Sequence, residues 1–314
     1  MSPDPPRSRS PVSKSEEHLG ATSSDQQSRS LNQTKSHIET GSETILDLLW
    51  DGGQAAVLLK PAGIPTQAPK NFDSLERRAR NQFASRSQYF ACPHRLDRPV
   101  QGVILVAFQK RTARLLSSQF ETRKVEKEYL AWTAGKVPSE PTLWVDYLEK
   151  VPNQARVIIT DETKLGAKLA KTEVQALHYS EQLDCTLLRL KPVTGRMHQL
   201  RAQAAHRGYP ILGDTTYEQN HEFGGMTRES DSIQNHRVGE TQTTARLSLM
   251  KSLGMPALTP PLSSSRDARM VDAIEAPDWI ALRAQILRFF DPRSAKRIEV
   301  SADQRWIESP QMVS

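Results

Sequence analysis

The stretch CPHRLDRPVQGVILVAF (92–108) places one carboxylate, Asp97, inside a basic cluster and runs at once into an apolar segment. VILVAF (103–108) is a short continuous apolar run with β-branched residues, so it predicts a buried strand. The residues before it admit two readings at this point. Arg95, Asp97 and Arg98 form a surface ion-pair turn at a strand entrance, or they carry a lone carboxylate set up for chemistry.

Outward from this stretch, AAVLLK (55–60) reads as a second buried strand, closed by the Pro61-Ala62-Gly63 turn. TARLLSSQFET (112–122) sets Leu116 and Phe120 four apart and predicts a helix. YLAWT (129–133) alternates as a strand, with Tyr129, Ala131 and Thr133 on one face. Segments 156–160, 171–178 and 185–190 read as further strands, and HQLRAQAAHRG (198–208) as a helix stopped by Gly208. Ile45, Leu48 and Leu49 recur at helical spacing, and WIALRAQILRFF (279–290) also predicts a helix. Many strands interleaved with few helices argue for an α+β fold with a mixed, largely antiparallel central sheet flanked by helices and loops.

The ends and one interior stretch differ in composition. Residues 1–43 are rich in Ser, Pro, Gln and charge and have too few large apolar side chains to offset ordering entropy, so a disordered polar tail is expected. An ordered domain is expected over 44–300, interrupted by a polar insertion at 218–275 with one helix near 245–253, and followed by a polar tail from 301 to 314.

Forty-two Lys and Arg against 36 Asp and Glu leave the chain at +6, a mild excess compatible with a polyanionic partner. Cys92 and Cys185 match no metal-ligand spacing and no disulfide framework, so a reduced intracellular protein without a metal is expected. No run approaches the roughly 18 apolar residues of a membrane span. The amino terminus lacks the apolar core of a secretory signal. A cytoplasmic protein follows, with no membrane partner.

A second cluster lies in LRLKPVTGRMHQLRAQAAHRGYPILGD (188–214). Arg196, His198, Arg201, His206 and Arg207 gather positive charge around one helix start, where free N–H groups suit phosphate. That pattern fits a nucleic-acid backbone and equally a small anionic substrate.

Taken in order, KPAGIP (60–65), HRLDRPVQG (94–102), KEYLAW (127–132), TGRMHQLR (194–201) and GYPILGDTTY (208–217) resemble the motifs of the RluA-type pseudouridine synthases. The resemblance implies an enzyme that isomerises uridine in ribosomal or transfer RNA, needs no cofactor, and works with RNA as its partner and no obligate protein partner. It implies that Asp97 is the catalytic aspartate, that Tyr129 packs against the target base, and that Arg201 pairs with the aspartate. It further implies that Arg95 fills the gap left by a flipped nucleotide. His94, Arg98, Arg196 and His198 are possible RNA contacts, and a monomer is expected.

The residue types suit that chemistry. The N–C glycosidic bond must break, the base turn, and the sugar be rejoined through carbon. A carboxylate can attack the sugar or take a proton from it. A neighbouring guanidinium favours its charged form and fixes its angle. An aromatic face gives the base a flat wall. One departure stands out: the family commonly has Thr-Ser before the glycine of the aspartate motif, where this chain has Val100-Gln101 and so no hydroxyl. The alternative to an enzyme is a catalytically silent RNA-binding relative of the same fold. A glycoside hydrolase fits less well, since it usually needs two carboxylates.

Overall fold

The computed structural model describes residues 45–217 and 279–303. The polar stretches expected at 1–43 and 218–275, the helix near 245–253, and the chain beyond 303 lie outside the described residues. The described elements, in order, are β1 (Leu48–Asp51), β2 (Ala55–Lys60), α1 (Leu75–Gln82), β3 (Gln101–Ala107), α2 (Lys110–Glu121), β4 (Glu126–Ala134) and β5 (Thr142–Lys150). They continue with β6 (Val157–Thr160), β7 (Lys168–Ser180), β8 (Cys185–Pro192), α3 (Gln199–His206), β9 (Leu282–Phe290) and β10 (Arg297–Ser301).

The strands form one 10-stranded sheet in the order β1-β2-β3-β9-β4-β8-β7-β5-β6, with β10 also paired to β9. Every pairing is antiparallel except β3 with β9, so the sheet is mixed and largely antiparallel, as the sequence predicts. β2 and β3 are almost wholly buried, which is what their unbroken apolar runs require. The helix over 110–121 buries Leu116 and Ala113 against the core. α1, which the sequence pattern left unread, is capped by Ser74, whose hydroxyl accepts from the Arg77 N–H at 3.2 Å.

Two expected helices are strands. Leu48 and Leu49 lie on β1, an edge strand that turns into β2 through Gly52 and Gly53. The buried residue there is Leu46, while Ile45 is exposed. The run 279–290 is β9, the strand that joins the two halves of the sheet. One edge of β9 pairs with β4 along its length; the other is shared end to end by β3 and β10. A strand enclosed on both edges and both faces carries apolar residues throughout, and such a run can mimic helical spacing. Its polar residues Arg283 and Gln285 are buried because Asp303 and the Ala302 and Asp303 carbonyls accept from them. The first residues of the expected polar tail, as far as Asp303, are held by these bonds.

β3 meets β9 at only two positions, Gln101↔Arg283 and Gly102↔Ala284. Gly102 has φ +128°, and a Cβ there would stand 2.2 Å from the Ala284 carbonyl oxygen. Only glycine allows the two backbones to meet here. Gly102→Ala is expected to destabilise the fold by about 3 kcal/mol or more. A denaturation midpoint equal to that of the unaltered chain would contradict this.

Candidate active site

The loop 92–100 enters β3 and presents Asp97, and buried groups from the 60–66 turn hold it in place. Lys60, fully buried, donates from Nζ to the carbonyls of Pro61 (2.8 Å), Ile64 (2.6 Å) and Arg98 (3.2 Å). Burial pushes its pKa down to about 7, with the Asp97 charge acting against that fall. The Thr66 hydroxyl donates to the Leu96 carbonyl at 2.9 Å and accepts from the Leu96 N–H at 3.0 Å. The Gly63 N–H reaches the Arg98 carbonyl, and Arg98 Nε donates back to the Gly63 carbonyl at 2.9 Å. These bonds hold the loop without a hydroxyl at Val100-Gln101. The Val100 N–H closes the turn onto the Asp97 carbonyl at 3.1 Å, and Thr66 supplies a hydroxyl from elsewhere.

The opposite wall is the turn from β8 into α3. Gln199 fastens it, accepting from the Thr194 hydroxyl (2.8 Å) and the Arg196 N–H (3.0 Å), and donating to the Lys171 carbonyl (3.0 Å). His198 precedes α3 in the left-handed region at φ 49°, a conformation that costs a non-glycine residue about 1 kcal/mol or more. Its Nδ1 lies 3.0 Å from the Tyr217 hydroxyl and its Nε2 3.6 Å from Asp97 Oδ2. The Tyr217 oxygen accepts from the Val157 N–H at 3.0 Å, so its own proton can go to His198 Nδ1. The ring proton then sits on Nε2, facing Asp97. Burial holds the His198 imidazole below its usual pKa, while the Asp97 charge pulls the other way.

Arg201 divides its guanidinium between two carboxylates. Nε and Nη2 donate to Asp214 at 2.6 and 2.8 Å, and Nη1 stands 3.5 Å from Asp97 Oδ2. Arg201 and Asp214 are buried, at 4% and 1% exposure. The Tyr217 ring lies 5.2 Å from the guanidinium carbon. Burial would lower the Arg201 pKa, but the Asp214 hydrogen bonds and charge raise it overall. Tyr129, on β4, completes the site. Burial raises its hydroxyl pKa, and the charge of Asp97 adds to that.

Asp97, Tyr129, His198 and Arg201 line one cleft of about 840 Å³, with Arg95 and Arg196 exposed at its rim. The cleft joins a half-buried carboxylate, an oriented guanidinium and a flat aromatic wall, surrounded by cations. Such a site can hold a planar base beside a sugar carbon while a carboxylate acts on the sugar.

A family model described as RNA pseudouridylate synthase matches residues 54–206. The tRNA pseudouridine synthase C of Haemophilus ducreyi is 31% identical over 284 residues, which span 83% of this chain and 93% of that protein. The chain belongs to the RNA pseudouridylate synthase family. It is of the RluA type, and so an isomerase that makes pseudouridine in RNA. The dual-specificity RNA pseudouridine synthase RluA of Escherichia coli K12 is 32% identical over 179 residues, covering 56% of this chain and 78% of that one. The structure of human RNA pseudouridylate synthase domain containing 1 superposes with a TM-score of 0.55 at 21% identity, covering 85% and 86% of the two chains, and shares the fold.

Within this synthase cleft, not every residue singled out from the sequence faces substrate space. Arg98 turns to Gly63, away from the cleft lining. His94 borders the cleft but commits Nε2 as acceptor to the Leu105 N–H at 2.9 Å and stacks on Phe120 at 4.7 Å. Conversely, sequence reasoning assigned no role to Lys60, Thr66, Asp214 or Tyr217. Asp214 and Tyr217 lie in the quoted 208–217 motif, yet nothing in its spacing shows that they fold back onto Arg201.

Burial, with the Lys127 charge adding to it, lowers the His94 pKa to about 3 from an ordinary 6.5. The unfolded chain therefore binds this proton first as pH falls. The stability tied to neutral His94 is complete above about pH 6.5 and is lost toward pH 3. Stability measured against a His94→Gln variant is expected to fall by on the order of 3 kcal/mol between about pH 6.5 and pH 4. A difference that stays flat over that range would count against this assignment.

Proposed function

We propose that this chain converts a specific uridine, or a small set of uridines, of ribosomal or transfer RNA into pseudouridine, with Asp97 as the catalytic group. The observation that carries the reading is the Asp97 carboxylate, half-buried in the cleft and contacted by both Arg201 Nη1 at 3.5 Å and His198 Nε2 at 3.6 Å. The names of the relatives support the substrate class: one acts on tRNA and the other is called dual-specificity.

In this reading the target nucleotide leaves its helix, at a cost of about a few kcal/mol, and its base lies against Tyr129. Arg95, exposed at the rim, takes the vacated position in the stack. Asp97 attacks the sugar or removes a proton from it, and the bond between the sugar's C1′ and N1 breaks. The enclosed base turns and bonds to C1′ through C5, which either displaces the attached Asp97 carboxylate or is followed by return of the sugar proton that Asp97 took. The C5 proton leaves and N1 gains one, so the reaction is an isomerisation with no net change in atoms. Arg201 keeps the carboxylate aimed, and Arg196 and His198 face the RNA backbone. The chain acts in the cytoplasm as a monomer, without a metal or organic cofactor.

Mapping pseudouridine across cellular RNA with and without the gene is expected to show loss at one position or a small set. Asp97→Asn is expected to lower formation at that position at least about 100-fold while RNA binding is largely kept. Undiminished formation by Asp97→Asn would refute the catalytic assignment. An unaltered chain that makes no pseudouridine in any RNA would leave a silent RNA-binding relative in its place.

A further inference from the structure

Lys127 is a cation of the cleft that the scheme above does not use. Lys127 lies on β4 two residues before Tyr129, and both line the cleft, while Glu128 between them does not. Alternation along the strand puts Lys127 and Tyr129 on the same face, roughly 6–7 Å apart along the backbone. Glu128 is buried on the other face, where Arg189 Nε donates to it at 2.9 Å and Lys191 and Arg288 lie within 3.9 Å. Glu126 is taken by Arg297 at 2.8 Å. Among the described residues, no hydrogen bond or ion pair reaches the Lys127 ammonium. The exposed Gly195 lies beside it: a Cβ there would stand 3.5 Å from Nζ, in ordinary contact. The 194–196 turn and this ammonium line the same cleft.

A half-buried ammonium without a counter-charge is costly, and an anion relieves that cost. The anions of RNA are its phosphates. We propose that Lys127 holds a phosphate of the target nucleotide, at one of the two linkages flanking the uridine whose base lies on Tyr129. The spacing of the two side chains along β4 is comparable with the distance between a nucleotide's base and its own phosphate. Lys127 is thus a binding residue that sets how deep the flipped nucleotide enters. This inference rests on the functional reading above and adds to it a specific contact.

The test uses the full chain carrying Asp97→Asn, so that binding is read without turnover. The probe is a synthetic RNA stem-loop spanning the mapped uridine, made with its natural linkages or with an uncharged methylphosphonate at one flanking linkage or the other. Binding is expected to weaken about tenfold or more when one of these linkages is neutral. Adding Lys127→Met should weaken binding to the natural RNA and abolish sensitivity to that linkage. It should also reduce the slope of log affinity against log salt by about 0.7–0.9. Lys127→Arg should restore the slope and so separate lost charge from disturbed folding. Equal sensitivity to the neutral linkage with and without Lys127, or an unchanged salt slope, overturns the proposal. Absence of pseudouridine formation by the unaltered chain would refute the functional reading itself, whereas formation at the mapped uridine with no Lys127-dependent linkage effect would refute only the phosphate contact.

Discussion

Arg201 is the group on which the site depends. Its guanidinium is planar, so two of its edges point in fixed relation to each other. Asp214 occupies one edge through two short bonds, which leaves Nη1 aimed at Asp97. A buried arginine without a partner would cost several kcal/mol, as would the nearly inaccessible Asp214. Each therefore needs the other, whatever their net contribution to stability. The pair joins α3 to the turn that follows it, and Tyr217 at the end of that turn packs on the guanidinium and steadies His198. The carboxylate in the cleft thus meets two groups whose positions are set from behind.

Placing the other wall is the task of β9. Asp97 precedes β3 and Tyr129 sits on β4, and these strands are not neighbours. β9 lies between them and fixes how far apart the carboxylate and the aromatic wall stand. Its contact with β3 lasts only two residues and requires the bare backbone of Gly102. The glycine that ends the aspartate motif therefore serves a sheet junction. The buried Lys60 and Thr66 lock the loop from beneath, so Asp97 is held on rigid elements.

Much of this was legible in the sequence, and the physical reason differs element by element. β2, β3 and β4 declared themselves because their apolar runs or alternation match burial on the faces they present. α3 was readable from its Ala-rich pattern and from Gly208, which adopts φ +79° at its end. β9 was misread because a central strand enclosed on all sides loses its period-two signature, and its Leu, Ala, Gln and Arg residues favour helices. β1 failed because four exposed or half-exposed residues on an edge carry little pattern. At the site, Asp97, Tyr129 and Arg201 come together from three separate segments, which local spacing cannot reveal. Asp214 and Tyr217 were quoted but given no role, since a carboxylate and an aromatic in a turn carry no local sign of their distant partners. The hydrogen bonds that His94 and Arg98 make to backbone were not legible, because charge is visible in a sequence and such bonds are not.

From this geometry we infer that Asp214 acts on the chemistry through Arg201, by fixing the direction of the guanidinium toward Asp97. The most direct measurement is single-turnover pseudouridine formation by Asp214→Asn, on protein shown to be folded, alongside its RNA affinity. Asparagine keeps one acceptor but loses the charge that fixes the fork. The account predicts a rate lowered on the order of 100-fold with affinity changed only a few-fold. A folded variant that turns over at the unaltered rate would contradict it.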